Sequence, residues 1–382
     1  MRLVKPQWAA AWTPARRAKQ AASVTSLALV ASTLVFLAVN ADGSPVTDVE
    51  LHDGSVWITN SERSLAARFN PEIKRADLGV VANSASFDLF QNRGTVVIDG
   101  LSSPRVLQSV DVANGVSRDA VELPATIKTA FGGQTVALLD SKSGKFWMRS
   151  SQDGSAFAPK TEPALTKVAR DGAIAMSPAG NAYVLDRVSG EATRFECKDG
   201  AQVPQATETF ALGETLGADL QLTVVGETPI AFDPKRGLLY RGKSAPTKIT
   251  GEPSEAKLQQ PSFDDNVVYI ATSDGLWQTS PDKGDLKRAR ASTSGAAAAQ
   301  GAPAAPVNLN GCVHAAWADP ESKSAYQRVC EGDAGSNLAK PIAGVASSSV
   351  LVFRTNRDVV LLNDVSAGDL WMEQKKSIEA IT

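Results

Sequence analysis

The sequence predicts an all-β protein: a β-propeller of eight blades, or seven if two short units merge, preceded by one apolar transmembrane helix. Three observations predict it. A strand–turn–strand unit recurs eight times at a spacing of about 40–45 residues, the spacing of a propeller blade. No stretch after residue 42 carries the period of an amphipathic helix of ordinary length. A run of residues without charge, 20–41, follows a basic N-terminus.

Residues 1–19 contain Arg2, Lys5, Arg16, Arg17 and Lys19, a basic segment that stays cytoplasmic under the positive-inside rule. Residues 20–41, with LALVASTLVFLAV at their centre, reach the ~20 apolar residues a helix needs to cross ~30 Å of hydrocarbon. Asp42 ends the run. Two readings fit: an uncleaved signal-anchor, or a signal peptide cut after Val39-Asn40-Ala41. The anchor is preferred, because the basic segment is long and the apolar run exceeds the usual h-region of about 7–15 residues. The remainder, with the propeller over 45–377, is then expected on the extracytoplasmic side of a single-pass membrane protein; with cleavage it is secreted.

The eight units read TDVELHDGSVWITN (47–60), SFDLFQNRGTVVIDG (86–100), IKTAFGGQTVALLD (127–140), GAIAMSPAGNAYVLD (172–186), TPIAFDPKRGLLYRG (228–242), QQPSFDDNVVYIAT (259–272), APVNLNGCVHAAW (305–317) and SSVLVFRTNRDVVLLND (348–364). Each is an apolar strand, a polar turn and a second apolar strand. The turns carry the Gly, Asn and Asp residues that hairpins need for positive φ or local capping. Landmarks Trp57, Val97, Ala137, Tyr183, Leu239, Val268, His314 and Val360 are 40, 40, 46, 56, 29, 46 and 46 residues apart. The interval of 29 marks the fifth unit as one that lacks its outer strand or merges with the sixth. A third strand follows most units, as in SPRVLQSVD (103–111), GKFWMRS (144–150) and GDLWMEQ (368–374). One such meander cannot bury both faces. Stacking around an axis buries them against neighbours and leaves short edges.

Asp99, Asp140, Asp186 and Asp364 recur at the end of the second strand. They are read as caps of the following turn rather than as a ring of carboxylates, since other units place Asn60, Arg241 or Thr272 there. Cys312 opens the second strand of the seventh unit and Cys330 ends its third. The antiparallel register set by the loop ADPESKS puts 312 opposite 330 and 317 opposite 325, within disulfide range. Outside the cytoplasm the bond is expected to form, closing a loop of about 19 residues worth about 3 kcal/mol. Cys197 is left as an odd thiol. ARASTSGAAAAQGAPAAPV (289–307) reads as a mobile link. The long stretch 196–222 is either an outer strand plus loop or a lid, and is the first choice for a binding determinant, since function concentrates on long loops.

The chemistry is sparser. A net charge of −2, with 39 Lys and Arg against 41 Asp and Glu, argues against a nucleic-acid partner. Two histidines and three cysteines exclude a histidine-rich or four-cysteine metal centre. His52 falls in a turn, and His314 lies on a strand as a core or edge residue. No nucleophile elbow, phosphate loop, zinc helix or EF-hand loop is present. No catalytic, cofactor-binding or metal-ligating residue is therefore assigned, and no cofactor is expected.

The membrane span, GSVWITN, GCVHAAW and FRTNRDVVLLNDVSAGDLW together resemble the large actinobacterial surface proteins with Ig-like or fibronectin type III domains. The resemblance covers residues 20–380 and is most specific over Gly311–Trp317 and Phe353–Trp371. It implies a membrane span, a propeller and then Ig-like modules; the sequence ends at Thr382, where the modules would begin. It carries no catalytic residue to any position here. Its implied role is a scaffold or adhesion protein of the cell envelope. The expected function is accordingly a membrane-anchored, extracytoplasmic propeller that binds a protein or a cell-wall glycan. The alternative is a secreted propeller hydrolase of the lactonase or glycosidase kind. The mouth of the central tunnel discriminates: converging carboxylates favour the hydrolase, a merely polar mouth the binding module.

Overall fold

The computed structural model describes residues 54–382 except 152–156, 198–202, 243, 250–252, 265, 283, 291–299, 320, 322, 347, 375 and 382. The basic and apolar N-terminal segments, His52 and most of the Ala/Gly-rich link lie outside the described residues.

Among these residues the chain forms eight antiparallel sheets, each from consecutive strands. The propeller prediction holds, with eight blades rather than seven. The second strands are nearly continuous apolar runs because both of their faces are covered. One face packs on the preceding blade and the other on the following one. Trp57 of the first blade meets Val96 and Ile98 of the second, and Val97 of the second meets Val136 and Leu138 of the third. The pattern continues round the ring until Leu361 of the eighth packs on Val56 and Ile58 of the first. Closure is therefore by apolar packing plus a polar clasp. Asn363 Oδ1 accepts from Thr59 N (2.9 Å) and Thr59 Oγ1 (3.0 Å), and Asn363 Nδ2 donates to Thr59 O (3.1 Å).

The inner edges are finished by glutamine side chains that imitate a strand. Gln91 accepts from Trp57 N (2.8 Å) and donates to Ser55 O (3.0 Å). Gln221 does the same for Leu258 N and Ala256 O, both at 2.8 Å. One primary amide presents a donor and an acceptor side by side, which is what an extended backbone needs at residues i and i−2.

Three expectations need correction. The fifth unit was framed one strand late: TPIAFD is its second strand (Thr228–Asp233) and LLYR its third (Leu238–Arg241). Its inner strand is Gln221–Val225 and its outer one the two-residue Thr247–Lys248. The error arose because IAF resembles the small apolar inner strand IAM. With Ile230, Tyr269 and Leu361 as landmarks beside Trp57, Val97, Ala137, Tyr183 and His314, the intervals become regular, 39 to 47 residues. The inner strand of the sixth blade is Lys257–Leu258, not part of QQPSF. The last strand, Ile378–Ile381, runs past the expected end at 377.

Turns explain much of the regularity. Asp140, Asp186, Asp233 and Asp364 are each followed four residues later by a glycine of positive φ, at Gly144, Gly190, Gly237 and Gly368. The aspartate carbonyl accepts that glycine's N–H at 2.7–2.8 Å in all four. At Gly144 and Gly190 a Cβ would also overlap the carbonyl oxygens of Val168 and Gly213. Glycine is required there twice over.

Candidate functional site

An open cleft of about 360 Å³ lies at the end of the ring where the innermost strands begin. The second blade supplies Asp88 and Phe90 from its inner strand Phe87–Asn92, Asp99 from the end of its second strand, Leu101 from the turn that follows and Arg105 from the start of its third strand. The inner strand of the third blade, Ile127–Gly132, adds Lys128 and Thr129. Ala173 and Ile174 of the fourth blade and Leu220, just before the fifth, complete the wall.

Two ion-pair networks, one buried and one half-exposed at Asp88, hold this wall. Arg105 Nη2 donates to Asp99 Oδ2 (2.7 Å) and Nε to Asp99 Oδ1 (3.2 Å). The same guanidinium reaches Thr129 Oγ1 (3.0 Å) and the carbonyl of Ile127, and Thr129 donates its hydroxyl to Asp99. From the eighth blade Arg354 crosses the first, donating to Asp88 Oδ1 (2.7 Å), Leu89 O (2.8 Å) and Thr59 Oγ1 (3.3 Å). Planar, delocalised guanidinium suits such multi-acceptor pairing. Lys128 Nζ donates to Gly172 O (3.2 Å).

Cross-links tie the blades together on the inner side of the ring. Asn92 Nδ2 reaches Pro178 O (3.3 Å), Gln260 Nε2 reaches Phe353 O (3.0 Å), and Ser262 bridges Val225. Phe263, next to Ser262, is 75% exposed.

The sequence-selected residues divide. Asp140, Asp186 and Asp364 cap turns as expected. Burial pushes the Asp186 carboxyl up, but the amides of Ala169, Val188 and Ser189 outweigh it and hold it below the usual carboxylate range. Burial likewise opposes the Ser143 hydroxyl, the Thr126 contact and the turn amides at Asp140, and again the hydrogen bonds win. Asp99 departs from the capping expectation. The turn after it, Gly-Leu-Ser-Ser, has no glycine at the fourth position, so its carboxylate is free to take Arg105 and faces the cleft. Arg241 is not at an aspartate-equivalent position at all; Asp233 is, and its Oδ1 caps Lys235 N and Arg236 N. Cys312 and Cys330 face each other in register and form the disulfide, on the seventh blade and away from the cleft. Cys197 is a free, exposed thiol.

His314 is buried between the seventh and eighth blades. Its Nδ1 lies 2.7 Å from Tyr326 Oη and 2.9 Å from Glu373 Oε2, while Tyr326 donates to the same carboxylate at 2.6 Å. Arg328 pairs with the other oxygen of Glu373. Burial, reinforced by the Arg328 charge, pushes the imidazole down to about 3. With Glu373 already neutralised by Arg328, a proton on His314 would leave a buried net charge.

The stretch 196–222 resolves into the end of one strand, the outer strand Gln205–Ala211, and a connection whose Leu212, Leu216 and Leu220 are buried. Its described part is an outer strand and loop, and among those residues only Leu220 touches the cleft. Sequence reading missed Asp88, Arg105, Lys128 and Arg354. For Asp88, Lys128 and Arg354 the available signal was a lone charge inside an inner strand: SFDLF, IKTAF and VFRTN against GAIAM. Among the described residues no three His, Cys, Asp or Glu side chains converge to hold a metal ion, and no helix is long and apolar enough to cross a membrane.

No family model matches the chain, and no curated protein matches it. Structurally characterised propellers do. BamB from Moraxella catarrhalis is similar with a TM-score of 0.51 at 14% identity, over 85% of this chain and 92% of BamB. The dihydro-heme d1 dehydrogenase NirN gives 0.57 at 11% identity, over 86% and 72%. AztD from Citrobacter koseri gives 0.51 at 10% identity, over 86% and 93%. Likeness at this level of identity establishes the fold.

Proposed function

We propose that the chain is an extracytoplasmic binding scaffold of the cell envelope, held at the membrane by residues 20–41, whose open ring face engages a protein or a cell-wall glycan. One observation carries this reading: both carboxylates at the mouth are paired with a guanidinium. Asp99 is locked to Arg105 and Thr129, and Asp88 to Arg354, so no pair of carboxylates stands ready as acid and base. Walls whose carboxylates are already held by arginines suit recognition, since little ordering is lost on binding. The Cys312–Cys330 disulfide suits an oxidising compartment. The resemblance to actinobacterial surface proteins supports the same location.

The test is protease shaving of intact producing cells that carry the full chain with a C-terminal tag, followed by alkaline extraction of membranes and co-sedimentation with isolated wall. The tag is expected to be shaved, the chain to stay with membranes, and wall material or a cross-linked envelope protein to be retained. A tag protected from protease in intact cells sinks the proposal.

A further inference from the structure

We infer that the cleft binds a small monocarboxylate that carries a hydroxyl or amine donor beside a compact apolar face. The inference rests on the reading of the chain as a binding protein and names the chemistry of one ligand at that same mouth.

It follows from counting which polar groups are already satisfied. Asp99, Arg105 and Thr129 satisfy one another. Asp88 Oδ1 accepts from Arg354 and from Leu89 N, whereas its Oδ2 accepts nothing among the described residues. Lys128 holds three donors and uses one, on Gly172 O. The cleft therefore presents an ammonium with unused N–H groups and a single bare carboxylate oxygen. Charge selects the ligand's sign. Asp88 is balanced by Arg354, Asp99 by Arg105, and Asp219, whose carboxylate lies within electrostatic reach of Lys128, by Lys235 at 2.7 Å, so Lys128 is the charge left over, and it calls for an anion. The bare Asp88 oxygen in the same cleft disfavours a dianion and asks for a neighbouring O–H or N–H donor. A carboxylate next to a hydroxyl or amine meets both demands; a phosphate monoester does not. Phe90, Ile174 and Leu220 line the rest, and Leu101 stands at the rim 52% exposed, an apolar surface that a ligand would cover. The volume of about 360 Å³ fits one sugar ring or one amino acid.

Two sources share this chemistry, acidic sugars and free amino acids. The experiment titrates the full chain calorimetrically with glucuronate, glucose, L-leucine and glucose 1-phosphate, for the native chain and for Lys128→Met, Asp88→Asn and Lys142→Met. Glucuronate or leucine is expected to bind at least about tenfold tighter than glucose and glucose 1-phosphate. Whichever of the two binds identifies the source. Lys128→Met is expected to abolish that preference, Asp88→Asn to weaken the acid, and Lys142→Met, in a turn outside the cleft, to change nothing. Equal binding of glucose and glucuronate, a preference for the phosphate, an unchanged Lys128→Met, or no binding of either acid overturns the inference. If no acid binds while envelope capture persists, this inference fails alone. If an acid binds and is chemically converted, the scaffold reading fails and the site stands.

Discussion

Replacing His314 with glutamine should remove most of the acid sensitivity of the fold between pH 7.5 and 5. The imidazole sits at about 3 in the folded protein against 6.5 for the free group, because burial and the Arg328 charge both disfavour its proton. A base whose folded pKa is depressed stays neutral in the native state while the unfolded chain takes up a proton below 6.5. Stability from this source is complete above 6.5 and is lost as pH falls towards 3. The slope is about 1.4 kcal/mol per pH unit, so the loss between pH 7.5 and pH 5 is about 2 kcal/mol. Asp140 and Asp186, held below the usual carboxylate range, contribute at lower pH and leave this window clear. The assay is urea unfolding of native and His314→Gln protein at pH 7.5, 6.5, 5.5 and 5.0, with the imidazole resonances followed by NMR. Two histidines in the whole chain make the assignment direct. Gln costs some stability at every pH, so the quantity read is the difference in pH dependence. Parallel losses in the two proteins, or a His314 resonance titrating near 6.5, would refute the reasoning.

Other outcomes follow from the same coordinates. Paired Cys312→Ser and Cys330→Ser substitutions should cost about 3 kcal/mol in chemical unfolding, the value expected for a bridge spanning 18 residues. Gly144→Ala should cost about 2 kcal/mol or more, since positive φ and the Val168 carbonyl both oppose a Cβ; Gly311→Ala, with the same sign of φ and open space around it, should cost about 1 kcal/mol by the same melt. Asp99→Asn, which strands the Arg105 guanidinium, should cost about 3 kcal/mol in urea, whereas Asp140→Asn keeps an oxygen on the Lys142 amide and can donate to the Ser143 hydroxyl, and should cost below about 1 kcal/mol. Equal costs at the two aspartates would mean that Asp99 is a turn cap after all.

The architecture was legible because each blade repeats the same solution to the same problem. Strands such as VVIDG and VALLD must be apolar on both faces, and the turns between them need Gly or Asn, so periodicity exposes them. The disulfide was legible for a related reason: the loop length between Trp317 and Ala325 sets the register that aligns Cys312 with Cys330. The fifth blade was misread because its inner strand, QLTVV, opens on a glutamine where those of the second, third, fourth and eighth blades open on Phe87, Ile127, Ala173 and Leu351. Gln221 is there to hold the edge of Ala256 and Leu258 in the next blade, a contact between blades that no local pattern announces. The cleft was illegible in the same way. Its polar members come one or two at a time from positions 88, 99, 105 and 128, with Arg354 reaching in from the opposite end of the sequence.

That distribution suggests where to look for chemistry in such a fold: at the places where one blade breaks the rule its sisters obey. Four aspartates at the end of a second strand follow the turn rule with a glycine four residues on, and each puts a carboxylate oxygen on an amide of its own turn. Asp99 lacks that glycine, loses the local partners, and its carboxylate turns to Arg105 and the cleft. Asp88, Lys128 and Arg354 break the rule that inner strands are apolar, and Asp88 and Lys128 line that same cleft, with Arg354 bound to Asp88. A buried or half-buried charge in a strand costs several kcal/mol unless paired, so each departure needs a partner supplied from another blade. Lys128 is the departure whose partner is least complete, a single carbonyl at 3.2 Å, and for that reason it is the residue on which a ligand's acid group is expected to settle.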